Sequence, residues 1–158
     1  MSDLDAMEIL LVEDNPADVE LTLHALRQNK LANKIHVARD GEEALDFLFT
    51  QGNFRRRKSQ RPPRIVLLDL KLPKIDGLGV LRAVKNDPRT RAIPVVVLTS
   101  SKEEKDMVES YSLGVNSYIQ KPVDFNNFRD MVRQLGLYWL LINVPPPPGA
   151  FRAAGKSE

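Results

Sequence analysis

The chain contains no cysteine, and this absence excludes disulfide bridges, thiolate metal sites and thiol catalysis. It has only two histidines, His24 in a helical pattern and His36 inside a strand pattern, so both are interpreted as structural. No apolar run approaches the roughly 20 residues that a membrane-spanning helix needs, and no membrane association is expected. The polar, acidic start Met1–Asp5 is unlike a secretory signal peptide, which favours a cytoplasmic location.

Acidic residues are missing from one stretch in the middle of the chain. Residues 55–64 carry six cations and no acid, so with a net charge of +2 the rest of the chain carries −4. A solvated loop is the simplest interpretation of this stretch, and contact with a protein partner is the next. Nucleic-acid binding is disfavoured because no recognition motif and few aromatic residues accompany the cations, and no nucleic-acid partner is expected.

Four short apolar segments each end at a polar residue. Apolar runs of this length, bounded by polar and turn residues, are typical of strands buried on both faces of a parallel sheet. Residues just past the carboxyl ends of such strands gather in one crevice. The segments are Ile9–Val12 before Glu13 and Asp14, Ile65–Leu68 before Asp69, Val95–Leu98 before Thr99, and Tyr118–Gln120 before Lys121.

Helical patterns alternate with these segments, and a fifth, short strand is expected at Ile35–Ala38. Alternation of this kind predicts an α/β fold, a doubly wound five-stranded parallel sheet with helices on both faces. Asp124 opens the last helix, which is expected to reach about Asn143. We therefore predict one domain over residues 1–143 and a proline-rich tail, extended or disordered, over residues 144–158.

Three carboxylates, one hydroxyl and one ammonium should meet in the crevice. A carboxylate cluster of this kind is unfavourable without a cation, and an all-oxygen set favours Mg²⁺ or Mn²⁺. A carboxylate nucleophile beside a metal and a lysine is the arrangement that forms an acyl phosphate. The residues are Glu13, Asp14, Asp69, Thr99 and Lys121.

These motifs, in this order and spacing, resemble the receiver domain of two-component response regulators, which has a flavodoxin-like fold. The resemblance covers about residues 8–143 and includes the loop Leu72-Pro73-x-x-Asp76-Gly77. The basic stretch before the third strand and the Tyr138–Leu141 end of the last helix resemble the small regulators paired with phytochromes. The resemblance implies a signalling phosphoacceptor whose partner is a sensor histidine kinase, with phytochromes among the candidates.

The resemblance also implies a role for each site residue. Asp69 would accept the phosphoryl group, and Lys121 would pair first with Asp69 and then with the phosphoryl oxygens. Thr99 and Tyr118 would form the switch, and the Lys121–Pro122 peptide bond would be cis. Mg²⁺ would be held directly by Asp14, by Asp69 and by the main-chain carbonyl of Lys71, and by Glu13 through a water molecule.

Two other functions fit part of the pattern. A Mg²⁺-dependent phosphatase with an aspartyl nucleophile usually has a second aspartate two residues later, where this chain has Lys71. An interaction module that works without phosphorylation would not need the complete acidic set together with Thr99 and Lys121. Both alternatives are therefore disfavoured.

The end of the last helix is apolar around almost its whole circumference. A surface helix needs only one apolar face, so the excess indicates a second surface that covers it. Tyr and Trp are common anchors of such interfaces. We expect a homodimer through Tyr138, Trp139 and Leu140, and the alternative is that residues 144–151 fold back over them.

Overall fold

The computed structural model describes residues 9–28, 34–56 and 62–151. Within these ranges strands and helices alternate along the chain. The strands are β1 (Ile9–Val12), β2 (Ile35–Ala38), β3 (Ile65–Leu68), β4 (Val95–Thr99) and β5 (Ser117–Gln120). The helices are α1 (Pro16–Gln28), α2 (Gly41–Leu48), α3 (Gly77–Asn86), α4 (Glu104–Leu113) and α5 (Phe125–Gly136).

The five described strands form one parallel sheet in the order β2-β1-β3-β4-β5. The three central strands are buried throughout, as their apolar runs predict, and the two edge strands are mostly half-buried. One core cluster lies beneath α1 and α5, and the other lies beneath α2 and α3. The predicted doubly wound sheet is confirmed, and its strand order reverses between β1 and β3, where a binding crevice opens.

Local capping explains why several helices begin and end where they do. The side-chain oxygen of Asn15 accepts hydrogen bonds from the backbone N–H groups of Ala17 (2.9 Å) and Asp18 (3.2 Å) at the start of α1. Asp124 caps α5 through the N–H of Asn127 (3.0 Å). Gly114 ends α4 at φ 103°, a left-handed conformation that glycine adopts without strain.

The predicted last helix changes its pitch before it ends. It is α-helical only to Gly136, and Leu137–Ile142 continue as a π-helix. In this geometry Leu140 enters the core cluster that contains Ile9 and Leu26, and only 3% of its surface is exposed. The prediction that Leu140 contributes to an interface between two chains is therefore wrong, because Leu140 is already buried within its own chain.

The described part of the C-terminal segment turns away from the π-helix. Residues 144–147 have no regular secondary structure, and Pro148–Ala150 form one turn of 3-10 helix. Phe151 packs against the core cluster beneath α2 and α3, and it lines a groove together with Pro63. The segment therefore leaves Leu141 and Ile142, at the end of the π-helix, 68% and 67% exposed.

The basic stretch is only partly described. Arg55 and Arg56 are exposed, Arg64 is half-buried beside the same groove, and residues 57–61 lie outside the described ranges, as do residues 152–158 of the tail. None of the described helices is both long and apolar enough to cross a membrane.

Candidate functional site

The carboxyl ends of β1 and β3 bring the three predicted acidic residues together. Glu13 and Asp14 follow β1, and Asp69 follows β3 on the neighbouring strand. One carboxylate oxygen of each lies within 4.8 Å of the others. Glu13 and Asp69 are buried, whereas Asp14 is exposed. Three carboxylates at this separation form an oxygen cluster suited to a small divalent cation.

Lys121 follows β5 and reaches across the sheet edge to this cluster. Its Nζ donates hydrogen bonds to Glu13 Oε1 (2.7 Å) and Asp69 Oδ2 (3.1 Å). A third hydrogen bond goes to Asp18 Oδ2 (2.7 Å). Since an ammonium has three N–H groups, all of them are directed at carboxylates. The Lys121 side chain is only 8% exposed, so these ion pairs are well shielded from solvent.

Asp18 is a site residue that the sequence pattern did not reveal. It lies in the first turn of α1, not at the end of a strand, and the prediction considered only strand ends. Its spacing from Asp14 gives no signal of this role, because Asp14 precedes α1 and the side that Asp18 faces depends on how the helix is rotated against the sheet.

Burial governs the proton affinities of the two innermost groups. Burial raises the pKa of the Glu13 carboxyl to about 7. The hydrogen bond from Lys121 lowers this pKa, and the negative charge of Asp69 raises it. Burial alone would lower the pKa of Lys121, but the hydrogen bonds to Asp18 and Glu13 hold it above its usual value. Lys121 is therefore charged at neutral pH, whereas the Glu13 carboxyl of the metal-free chain is near its midpoint.

The backbone around Asp69 is tightly held. Its N–H donates to the carbonyl of Val12 (3.0 Å), and its Oδ1 accepts from the N–H of Lys71 (3.3 Å). A Cβ on Gly77 would overlap the carbonyl oxygen of Asp69, so this position requires glycine. Lys71, whose carbonyl is the predicted fourth ligand, follows on the same loop, and its side chain is exposed.

The predicted switch residues lie beside the cluster without joining it. Thr99 is fully buried, and its hydroxyl oxygen accepts a hydrogen bond from the N–H of Ser101 (3.2 Å). The Ser101 hydroxyl is bound to Asp106 (2.6 Å). The Tyr118 hydroxyl is buried, and burial raises its pKa, whereas the neighbouring Ser101 side chain lowers it. The roles of Thr99 and Tyr118 as switch residues stay predictions.

One expectation about the backbone is wrong. No peptide bond within the described residues is cis, so the Lys121–Pro122 bond is trans. An X–Pro bond prefers trans by about 0.5–1 kcal/mol, so this isomer is the intrinsically favoured one. Lys121 still reaches the cluster, and the N–H of Lys121 donates to the carbonyl of Thr99 (2.8 Å).

Comparison with known proteins agrees with this geometry. Residues 9–133 match the model of the response regulator receiver domain. The chain is 43% identical over 144 residues to the probable methanogenesis regulatory protein FilR2 of Methanothrix harundinacea, covering 91% of this chain and 90% of that protein. It is 40% identical over 132 residues to the response regulator Rcp1 of Synechocystis sp., covering 84% and 88%.

Two solved structures have the same fold. The Mn²⁺-bound form of Rcp1 superimposes with a TM-score of 0.82 at 39% identity, covering 88% of this chain and 98% of that one. The phosphorylated cyanobacterial phytochrome response regulator RcpA superimposes with a TM-score of 0.83 at 38% identity, covering 90% and 99%. The chain therefore belongs to the response regulator receiver domain family.

Proposed function

We propose that the chain is the phosphoacceptor of a two-component system and takes a phosphoryl group from a sensor histidine kinase onto Asp69. The observation that carries this proposal is the 3.1 Å hydrogen bond between Asp69 Oδ2 and Lys121 Nζ within a cluster that also contains Glu13 and Asp14. This arrangement combines a carboxylate nucleophile, a cation that can neutralise phosphoryl charge, and oxygen ligands for a metal. A cytoplasmic location belongs to the same proposal.

The reaction needs one bond to form and one to break. A carboxylate oxygen of Asp69 attacks the phosphorus of a kinase phosphohistidine and the P–N bond breaks. The electron pair of that bond returns to the ring nitrogen, and the imidazole, already protonated on its other nitrogen, leaves as the neutral ring. The product is an acyl phosphate on Asp69. Lys121 moves from Asp69 to the new phosphoryl oxygens and offsets the charge they carry.

A divalent cation belongs to this proposal because the donor set fits it. Glu13, Asp14 and Asp69 supply carboxylate oxygens, which Mg²⁺ and Mn²⁺ prefer, and the Lys71 carbonyl would complete the set. The ion would screen charge on the transferring phosphoryl group. The solved Mn²⁺-bound form of Rcp1 supports this assignment.

The switch would follow from the position of Thr99. Its hydroxyl oxygen accepts a hydrogen bond from the N–H of Ser101, and its O–H would donate to a phosphoryl oxygen on Asp69, which is a strong, charged acceptor. Movement of Thr99 would change the space around Tyr118, whose buried hydroxyl lies beside the Ser101 side chain. The surface formed by α4 and β5 would change as a result.

A phytochrome is the kinase that the relatives favour. RcpA is a phytochrome response regulator, whereas FilR2 is a probable regulator of methanogenesis, so relatives of this chain serve different signals. We propose a phytochrome-type kinase because the chain is 52% and 55% identical to two solved bacteriophytochrome response regulators, compared with 43% for FilR2.

The first test of this function is intact mass spectrometry with a small phosphodonor. Acetyl phosphate with Mg²⁺ should add one phosphoryl group to the protein, and the same mixture with excess EDTA should add none, because the metal is needed to offset the charge of the attacking carboxylate and the donor. Uptake that is equally fast with EDTA would contradict the metal assignment, and no uptake under either condition would contradict the function.

We further propose that the chain forms a homodimer through the exposed side of its last helix. With Leu140 excluded, the exposed apolar residues there are Tyr138 (47%), Leu141 (68%), Ile142 (67%) and Val144 (85%). Trp139 is partly buried and stacks edge-on against Tyr138, with ring centroids 5.1 Å apart. Since the described tail leaves this surface open, a second copy using the same patch is the occupant that we propose.

Introducing charge into this surface should favour the monomer. Leu141→Glu combined with Ile142→Glu would place like charges opposite each other across a two-fold axis, and the dimer dissociation constant should rise by at least about tenfold. Sedimentation velocity over a concentration series measures this effect. Phe125→Glu is the matched control, because Phe125 is also 58% exposed but lies at the opposite end of the last helix. A wild-type chain that stays monomeric at high micromolar concentration, with and without acetyl phosphate, would rule out the dimer.

A further inference from the structure

One of the three carboxylates that hold Lys121 has no part in the proposed chemistry. Lys121 Nζ binds Glu13 and Asp69, which metal coordination and phosphoryl transfer would use, and it binds Asp18. Once a cation binds Glu13 and a phosphoryl group is attached to Asp69, Asp18 is the carboxylate of the three that can still bind Lys121. Its hydrogen bond of 2.7 Å is as short as that to Glu13 and shorter than the 3.1 Å bond to Asp69.

The local backbone holds Asp18 in a position from which its carboxylate can bind the Lys121 ammonium. Asn15 accepts hydrogen bonds from the N–H of Asp18 and that of Ala17, so the first turn of α1 is fixed. The N–H of Asn15 in turn donates to Glu13 Oε2 (3.2 Å). A continuous set of hydrogen bonds therefore runs from Glu13 through Asn15 and Asp18 to Lys121.

We propose that Asp18 is a positioning residue, which anchors the Lys121 ammonium so that its other N–H groups point at the oxygens of Asp69; this inference rests on the function proposed above. A lysine side chain has many rotamers, and fixing one of its N–H groups in advance removes part of the entropic cost of ordering it during the reaction. The effect acts through Lys121, because no described contact joins Asp18 to Asp69.

The negative charge of Asp18 also has an opposing effect. It repels the incoming phosphoryl group, which would slow the same reaction. Asp18 is 25% exposed, however, compared with 4% and 8% for the side chains of Glu13 and Asp69, so solvent screens its charge more than theirs. The short hydrogen bond to Lys121 is local and persists under this screening. Anchoring therefore outweighs repulsion.

The experiment compares phosphorylation rates of the full chain with acetyl phosphate at saturating Mg²⁺. Asp18→Ala should lower the rate by at least about tenfold, which corresponds to the weaker end of hydrogen bonds between charged groups. Asp18→Asn keeps an acceptor oxygen without the charge and should recover part of that loss. Glu20→Ala is the matched control, since Glu20 is an exposed acid on the same helix, and it should match the wild type. Thermal unfolding of each variant identifies any that fail to fold.

A second background separates anchoring from a general structural effect. In a chain that carries Lys121→Met, Asp18→Ala should cause no further slowing, because the residue that it positions is absent. Equal slowing in both backgrounds, or an Asp18→Ala rate equal to or above the wild-type rate, would overturn the inference and leave the proposed function intact. A wild-type chain that takes up no phosphoryl group would overturn the proposed function itself.

Discussion

Asp69→Asn should abolish phosphorylation by acetyl phosphate. The amide of asparagine is a poor nucleophile. Asp69 is buried, accepts a hydrogen bond from Lys121 and lies on the tightly packed loop next to Gly77, and no other described carboxylate has all three properties. Glu13 is also bound to Lys121 and buried, but it lies in the metal cluster and its pKa of about 7 leaves it partly protonated at neutral pH. The expected intact mass after incubation with Mg²⁺ is that of the unmodified variant.

The control for this experiment is Asp130→Asn. Asp130 is an exposed acid on α5 that is not part of the carboxylate cluster, and its substitution removes the same charge. It should take up the phosphoryl group as fast as the wild type. Uptake by Asp69→Asn to the wild-type extent would show that another residue is the acceptor.

The affinity for Mg²⁺ should rise steeply with pH up to about 7 and then level off. The pKa of Glu13 is raised by burial from 4.5 to about 7, and a cation favours its ionised form. Below pH 7 the metal must displace a proton, so the apparent affinity should fall by up to about tenfold per pH unit. Binding at pH 6 should release close to one proton per ion, and binding at pH 8 close to none.

The same pKa gives the direction of the effect on stability. Because Glu13 binds a proton more tightly in the folded chain than in the unfolded chain, the metal-free protein should lose stability as pH rises from 4.5 through 7. Mg²⁺ should restore more of the free energy of unfolding at pH 8 than at pH 6.

Thermal unfolding with and without Mg²⁺ measures the stability effect, and calorimetric titration in buffers of different ionisation enthalpy counts the protons. Glu13→Gln cannot ionise and should remove most of the pH dependence. Equal Mg²⁺ affinities at pH 6 and pH 8 in the wild type would show that Glu13 is already ionised at pH 6.

The position of the crevice could be predicted because it depends on features that are local in sequence. Apolar runs define the central strands, and a parallel sheet places their carboxyl ends at one edge, so Glu13, Asp14, Asp69 and Lys121 meet wherever the intervening helices lie. The fold followed from the same alternation of strands and helices.

Asp18 and Leu140 could not be placed in this way because both depend on how a helix is rotated about its axis. Asp18 reaches Lys121 only in the observed orientation of α1 against the sheet. Leu140 is buried after a change of pitch at Gly136, whereas the prediction assumed a regular helix of 3.6 residues per turn to the end. Such rotations and changes of pitch are set by packing between distant elements, which no local pattern records.

The crowded backbone beneath Asp69 has a consequence for how this signalling protein can evolve. Gly77 lies where any side chain would collide with the acceptor loop, and Gly41 is similarly close to the carbonyl of Ile75 on that loop, so the loop path tolerates little change. The side chain of Lys71, two residues after Asp69, is exposed. Substitution there should cost the fold little and, so close to the acceptor, should alter the approach of water to an acyl phosphate. The lifetime of the acyl phosphate and the free energy of unfolding can therefore change independently of each other as the sequence evolves.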